Sequence, residues 1–142
     1  MLELTPLNFK VVPTMKGIVL GNDIKGISLI VFYKLNCEKS NTFLQLFDTA
    51  MDDNDYCTFA KVNTDMYPEY IAESAKTKTP INVSDGPYVV IYVDGRPYMS
   101  YDGPVDNIEI KKLLMYVHLM QTVTASLNFN NDTIIPVYKI ES

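Results

Sequence analysis

The chain has 142 residues, 47% of them apolar and 20% charged, with a formal charge of −5 and an isoelectric point near 4.7. These values fit one compact domain with its own core and argue against global disorder. The acidic balance also argues against a nucleic-acid surface, because Lys76, Lys78 and the Lys111-Lys112 pair are too scattered to form a basic patch.

In chain order, the opening MLELTPLNF carries an acid and no basic leader, so no signal peptide is expected. No apolar run approaches the roughly 18 residues of a membrane span. Two cysteines in such a chain imply a reducing, cytoplasmic compartment without a disulfide network, and the sequons at Asn82 and Asn131 are then irrelevant. The stretch FKVVPTMKGIVLG (9–21) is expected to form a short strand and then a first helix or an irregular arm. ISLIVFY (27–33) is nearly continuous in β-branched and aromatic residues, the pattern of a central strand buried on both faces.

From Ser40 the residues Phe43, Leu44, Phe47, Ala50 and Met51 recur at helical spacing. Asp52, Asp53 and Asp55 follow as an exposed loop. CTFAKV (57–62) is a weaker strand, and 64–86 an irregular or partly helical crossover. YVVIYV (88–93) and PYMSY (97–101) flank Asp94-Gly95, a strong hairpin turn. Asp106 and Glu109 have the spacing of a capping box before the helical stripe Ile110, Leu113, Leu114, Val117 and Met120. Both stripes predict helices packed on a sheet. A tail with turn residues at 128–132 carries an apolar TIIPVY segment, where Pro136 excludes a central strand. It is expected either to fold back as an edge strand or to reach a neighbour. The division is a domain over 1–122 and a carboxyl extension over 123–142.

Cys37 ends an apolar strand and precedes a helix, the place for a nucleophile. Other chemistry is thin. His118, the sole histidine, lies within the last helix, and one histidine with two separated cysteines does not make a zinc site of familiar spacing. There is no Ser-His-Asp arrangement, phosphate-cradling loop or dinucleotide fingerprint, so neither a metal nor a cofactor is expected.

The order strand–Cys–helix, strand, Pro–strand–Asp-Gly–strand–helix resembles the thioredoxin family from about Leu29 to Val117. FYKLNCEKS matches the motif region without a gap: Phe32 and Tyr33 stand at the strand end, Cys37 at the attacking position and Ser40 at the resolving one. AKVNTD (60–65) looks like the family's next strand. Pro87, with Gly95 eight and Gly103 sixteen residues later, reproduces the spacing of the family's cis-proline and two glycines. The resemblance implies an α/β fold, a central mixed sheet flanked by helices, and a cis Gly86–Pro87 bond beside residue 37.

Thiol–disulfide exchange needs a thiolate, access and a second thiol to release the mixed disulfide. Cys37 is expected at a helix start, where amide dipoles favour negative charge. Glu38 raises its pKa, while Lys34 and Lys39 oppose this. Ser40 cannot resolve a mixed disulfide, Asn36 replaces the family's tryptophan, Glu38-Lys39 replace Gly-Pro, and the buried acid falls at Val31. Cys57 begins a strand twenty residues on and reads as a buried hydrophobe.

Two readings follow. One is a redox-degenerate scaffold for protein partners, supported by the added tail and by Tyr67, Tyr70, Tyr88, Tyr98 and Tyr101, which would gather near the crossover and hairpin. LTPLNF, the tail and the Asn/Ile/Tyr-rich usage also resemble thioredoxin-like proteins of large DNA viruses. That resemblance implies a minor capsid or virion-associated protein whose tail attaches to capsid subunits. The other is a monothiol oxidoreductase or disulfide isomerase with Cys37 as nucleophile.

Overall fold

All seven residues of Ile27–Tyr33 are buried, and in the computed structural model this run forms the central strand β4. The structure describes residues 2–14, 17–51, 58–77, 80–81, 83, 86–101, 107–124 and 137–138. In chain order these form β1 (Leu2–Glu3), a 3-10 turn (Pro6–Asn8), β2 (Phe9–Thr14), β3 (Gly17–Asn22), β4, α1 (Glu38–Met51) and β5 (Thr58–Asn63). There follow α2 (Glu69–Ala75), β6 (Tyr88–Val93), β7 (Arg96–Tyr101), α3 (Asn107–Thr124) and β8 (Val137–Tyr138). The main sheet has the order β1-β5-β4-β6-β7-β8. β1, β5 and β4 are parallel, β6 runs against β4, β7 against β6, and β8 lies parallel to β7.

Because side chains alternate along a strand, β4 feeds two cores. Ile27, Leu29, Val31 and Tyr33 pack under α1 and α3, with Phe43, Phe47, Ile110, Leu113 and Val117. Ile30 and Phe32 face the other side, with Leu4, Leu20, Ile81 and Tyr92. On the helix side Phe43 stacks on Phe47 at 5.5 Å, and Phe47 meets Phe59 edge-on at 5.3 Å. The helical periods of α1 and α3 thus bury their stripes against the sheet, as the spacing predicts.

The opposite face is covered differently from expectation. Residues 9–14 and 17–22 pair as an antiparallel two-stranded sheet, with Val11 opposite Leu20 and Pro13 opposite Ile18, where a first helix or an irregular arm was expected. Contacts across the sheet decide this. Phe9 packs against Phe32 at 5.8 Å and Tyr92 at 6.4 Å, Leu20 is buried, and the intervening Lys10 is exposed. Pro13 is tolerated because β2 is an edge strand, where a missing N–H costs no ladder bond.

The Asp94-Gly95 turn fastens hairpin to sheet. Asp94 and Gly95 have φ of 49° and 81°, the left-handed pair that a two-residue hairpin requires. The Asn22 N–H donates to the Gly95 carbonyl at 2.8 Å, the Asp94 N–H to the Gly26 carbonyl at 2.9 Å, and the Gly26 N–H to Asp94 Oδ1 at 2.8 Å. A Cβ at Gly95 would collide with the Asn22 carbonyl oxygen.

α3 extends to Thr124, and β8 adds to β7 with Ser100 beside Val137 and Tyr101 beside Tyr138, the edge-strand course for the tail. Asp106 and the aspartates at 52, 53 and 55 lie outside the described residues. No described helix is long and apolar enough to cross a membrane.

Phe47→Ala is expected to cost about 3–5 kcal/mol in urea unfolding, because it empties a fully buried aromatic site. Gly95→Ala is expected to lower the unfolding midpoint as well, through both the left-handed φ and the Asn22 collision; an unchanged midpoint would refute the proposed role of the turn.

Candidate functional site

β4 ends at Tyr33, and the chain must reverse within four residues to start α1 at Glu38. Asn36 makes the turn with φ of 59°, a left-handed conformation that asparagine tolerates better than most residues. The loop is pinned from the end of β5. The Leu35 N–H donates to Asp65 Oδ2 at 2.8 Å, and the Thr64 N–H and hydroxyl both donate to the Tyr33 carbonyl at 2.9 Å. Asn63 Oδ1 accepts the N–H groups of Asp65 and Met66, shaping the turn that presents Asp65. Sequence reasoning missed Asp65; the Asn-Thr-Asp run after a strand was its trace.

Cys37 is the residue before α1, and its carbonyl accepts the Asn41 N–H at 3.0 Å. It therefore occupies the N-cap, and its side chain faces the unpaired amides of the first turn. Its sulfur is partly exposed. The Cys37 thiol is held below its ordinary value, chiefly by the Ser40 hydroxyl and then by the Ser40 N–H; partial burial opposes this, and the Lys39 N–H and the Lys34 charge add to it. The adjacent Glu38 carboxylate does not prevail.

Ser40 is fully buried, and its Oγ has no hydrogen-bond partner. An orphaned buried hydroxyl is costly, and a thiolate at Cys37 relieves it by accepting its hydrogen bond. Cys37 thus stands just before α1 and Ser40 on its first turn. Val31, where an assisting acid would stand, is fully buried and apolar. Cys57 lies outside the described residues.

Pro87 needs a correction. No cis peptide bond occurs among the described residues, so the Gly86–Pro87 bond is trans. Gly86 adopts φ of 150°, a backbone conformation that glycine reaches without strain, and so supplies the bend assigned to a cis bond. The corner still abuts the site: a Cβ on Gly86 would lie 3.5 Å from the Lys39 side chain, in the first turn of α1.

The tyrosines also separate. Tyr67 and Tyr88 pack into the hairpin-side core, Tyr98 and Tyr101 into the helix-side core. These four do not form one surface, and the Tyr70 side chain lies outside those described. Tyr33 donates to Glu3 Oε1 at 3.0 Å, and burial with this acid pushes its phenol up to about 12. His118 is exposed on α3, and no group of three or more metal-ligating side chains occurs among the described residues.

Part of human ERp44 in its zinc-bound form superposes with a TM-score of 0.53 at 21% identity, over 68% of this chain and 27% of that one. The fold is thioredoxin-like. A Malassezia sympodialis thioredoxin, Mala s 13, described as a member of a pan-allergen family, matches with a TM-score of 0.52 at 18% identity, over 70% of this chain and 80% of its own. The chain therefore spans about a quarter of the length of ERp44. No family model matches the sequence, and no curated protein matches it. These likenesses establish the thioredoxin-like architecture alone.

Because folding lowers the Cys37 pKa, the thiolate adds stability that is complete above the unfolded value of about 8.5 and is lost as pH falls through the lower folded value. Iodoacetamide labelling of Cys37 against pH is expected to show a midpoint below that of a free cysteine. Ser40→Ala is expected to raise it; an identical midpoint in the variant would show that the hydroxyl plays no part.

Proposed function

We propose that this thioredoxin-like protein is a redox-degenerate structural or protein-interaction module, a scaffold that engages protein partners without turning over disulfides. The single observation that carries the reading is Ser40, which lies fully buried on the first turn of α1 beside Cys37. A resolving thiol must occupy that position to attack a mixed disulfide at Cys37, and a hydroxyl cannot do so. Val31 supports the same reading, since it offers no proton acceptor behind the thiol. The resemblance of LTPLNF, the tail and the residue usage to thioredoxin-like proteins of large DNA viruses supports a role as a minor capsid or virion-associated component, with the 123–142 tail as its attachment.

The lowered Cys37 pKa favours a second reading, a monothiol oxidoreductase or isomerase that uses Cys37 with an external thiol. Reduction of insulin disulfides separates the two. The wild-type chain is expected to show no turnover above a Cys37→Ser control, with or without glutathione. Ser40→Cys is expected to gain Cys37-dependent reduction, because it restores a second sulfur on a scaffold already shaped for one. Glutathione-driven turnover by the wild-type chain would overturn the module in favour of the monothiol enzyme.

A further inference from the structure

We propose that the chain associates with copies of itself head to tail, the outward face of α3 on one copy seating against the hairpin and α2 of the next. The inference rests on the structural-module reading and uses surfaces other than the Cys37 loop. It starts from α3, which is apolar on two opposite sides. Ile110, Leu113, Leu114 and Val117 are buried against the sheet. Ile108, Met115 and Leu119 are 67%, 65% and 57% exposed. At about 100° per residue these three fall within about 40° of one another, roughly opposite the buried stripe. A helix that had only to cover the sheet would be polar there. Lys111 and Lys112, both exposed, flank the outward stripe on either side.

The matching surface lies across the sheet. In the hairpin Val11 stands opposite Leu20 and Pro13 opposite Ile18, and cross-strand partners share a face. That face holds a cavity of about 210 Å³, walled by Phe9, Val11 and Leu20 and, from α2, by Glu69 and Glu73. Val11 and Ile18 are exposed, as is Leu7 next to the wall residue Pro6. The volume is below the roughly 300 Å³ at which small-molecule pockets begin, so it suits one inserted side chain and not a cofactor.

Shape and charge pair the two faces. Met115 stands mid-stripe, and an unbranched thioether adapts to an irregular hollow. Glu69 and Glu73, four residues apart, share one face of α2. With Lys10 the described lining carries two carboxylates against one cation. The lysines beside the α3 stripe meet that excess, whereas two α3 faces brought together would oppose two basic surfaces and leave the cavity empty. α3 covers one side of the sheet, the hairpin and α2 the other, so each copy offers both faces in opposite directions. A contact between unlike faces does not close in a symmetric pair; it continues from copy to copy.

Sedimentation velocity of the full chain in reducing buffer, from micromolar to millimolar concentration, tests this. The wild type is expected to show a mean mass that rises past two chains with concentration and falls when salt is raised to about 0.15 M. Lys111→Glu/Lys112→Glu and Glu69→Lys/Glu73→Lys are each expected to weaken association about tenfold or more, because each sets like charges face to face. Their equimolar mixture is expected to associate again, since the reversed faces match. Met115→Ser/Leu119→Ser is expected to stay monomeric. Iodoacetamide labelling of Cys37 in all three variants is expected to match the wild type, which shows an intact fold. A wild-type monomer at millimolar concentration, a mass that stops at two chains, or a mixture of the reversed variants that stays monomeric would each overturn the proposal. A monomeric wild type leaves the insulin result standing, and insulin turnover leaves the sedimentation result standing, so the two readings fail separately.

Discussion

The burial of β4 on both faces is the constraint from which the rest of the molecule takes its form. A strand with no solvent face must be covered twice, and the chain supplies two unlike covers: α1 and α3 on one side, the β2–β3 hairpin with α2 on the other. The parallel partner β5 and the antiparallel partner β6 satisfy its backbone. With the strand immobilised, its last residue, Tyr33, is fixed, and the four-residue turn to α1 has little freedom left. The site is where it is because the core holds the strand that leads into it.

That geometry favours charge on sulfur irrespective of any use for it. A residue at the N-cap of a helix faces unpaired amides, and a thiolate accepts from them as a capping oxygen would. The buried Ser40 hydroxyl adds a donor with nothing else to bind. A lowered thiol pKa is therefore a by-product of the fold and by itself poor evidence for catalysis. Turnover depends on what stands one helical turn further on, and there the chain has oxygen in place of sulfur.

Much of this was legible in the residues. The apolar runs at 27–33 and 88–93 gave their strands to the residue, since continuous β-branched sequence has few other uses, and Asp94-Gly95 fixed the turn between β6 and β7. The placement of Cys37 just before α1 and of Ser40 on its first turn was legible because an apolar strand ends shortly before a helical stripe begins. Elsewhere the same kind of reasoning failed for physical reasons. Residues 9–21 are too short and too mixed to show whether Phe9 and Leu20 lie on a helix stripe or a strand face; the partners Phe32 and Tyr92 decide it from more than ten residues away. A proline spacing cannot report a peptide isomer when a preceding glycine is able to supply the bend. Asp65 escaped notice because its role is a hydrogen bond to a backbone N–H thirty residues earlier.

The central claim is that no second sulfur stands ready to release a mixed disulfide formed at Cys37, and intact-mass spectrometry over time tests it most directly. The purified chain is mixed with a peptide disulfide, excess reagent is removed, and the adduct is followed in thiol-free buffer, with Cys57→Ser alongside. The account predicts one adduct per chain, located at Cys37, that persists equally in both proteins. Spontaneous loss of the adduct with formation of an intramolecular disulfide, abolished by Cys57→Ser, would show that a resolving sulfur exists after all and would contradict it.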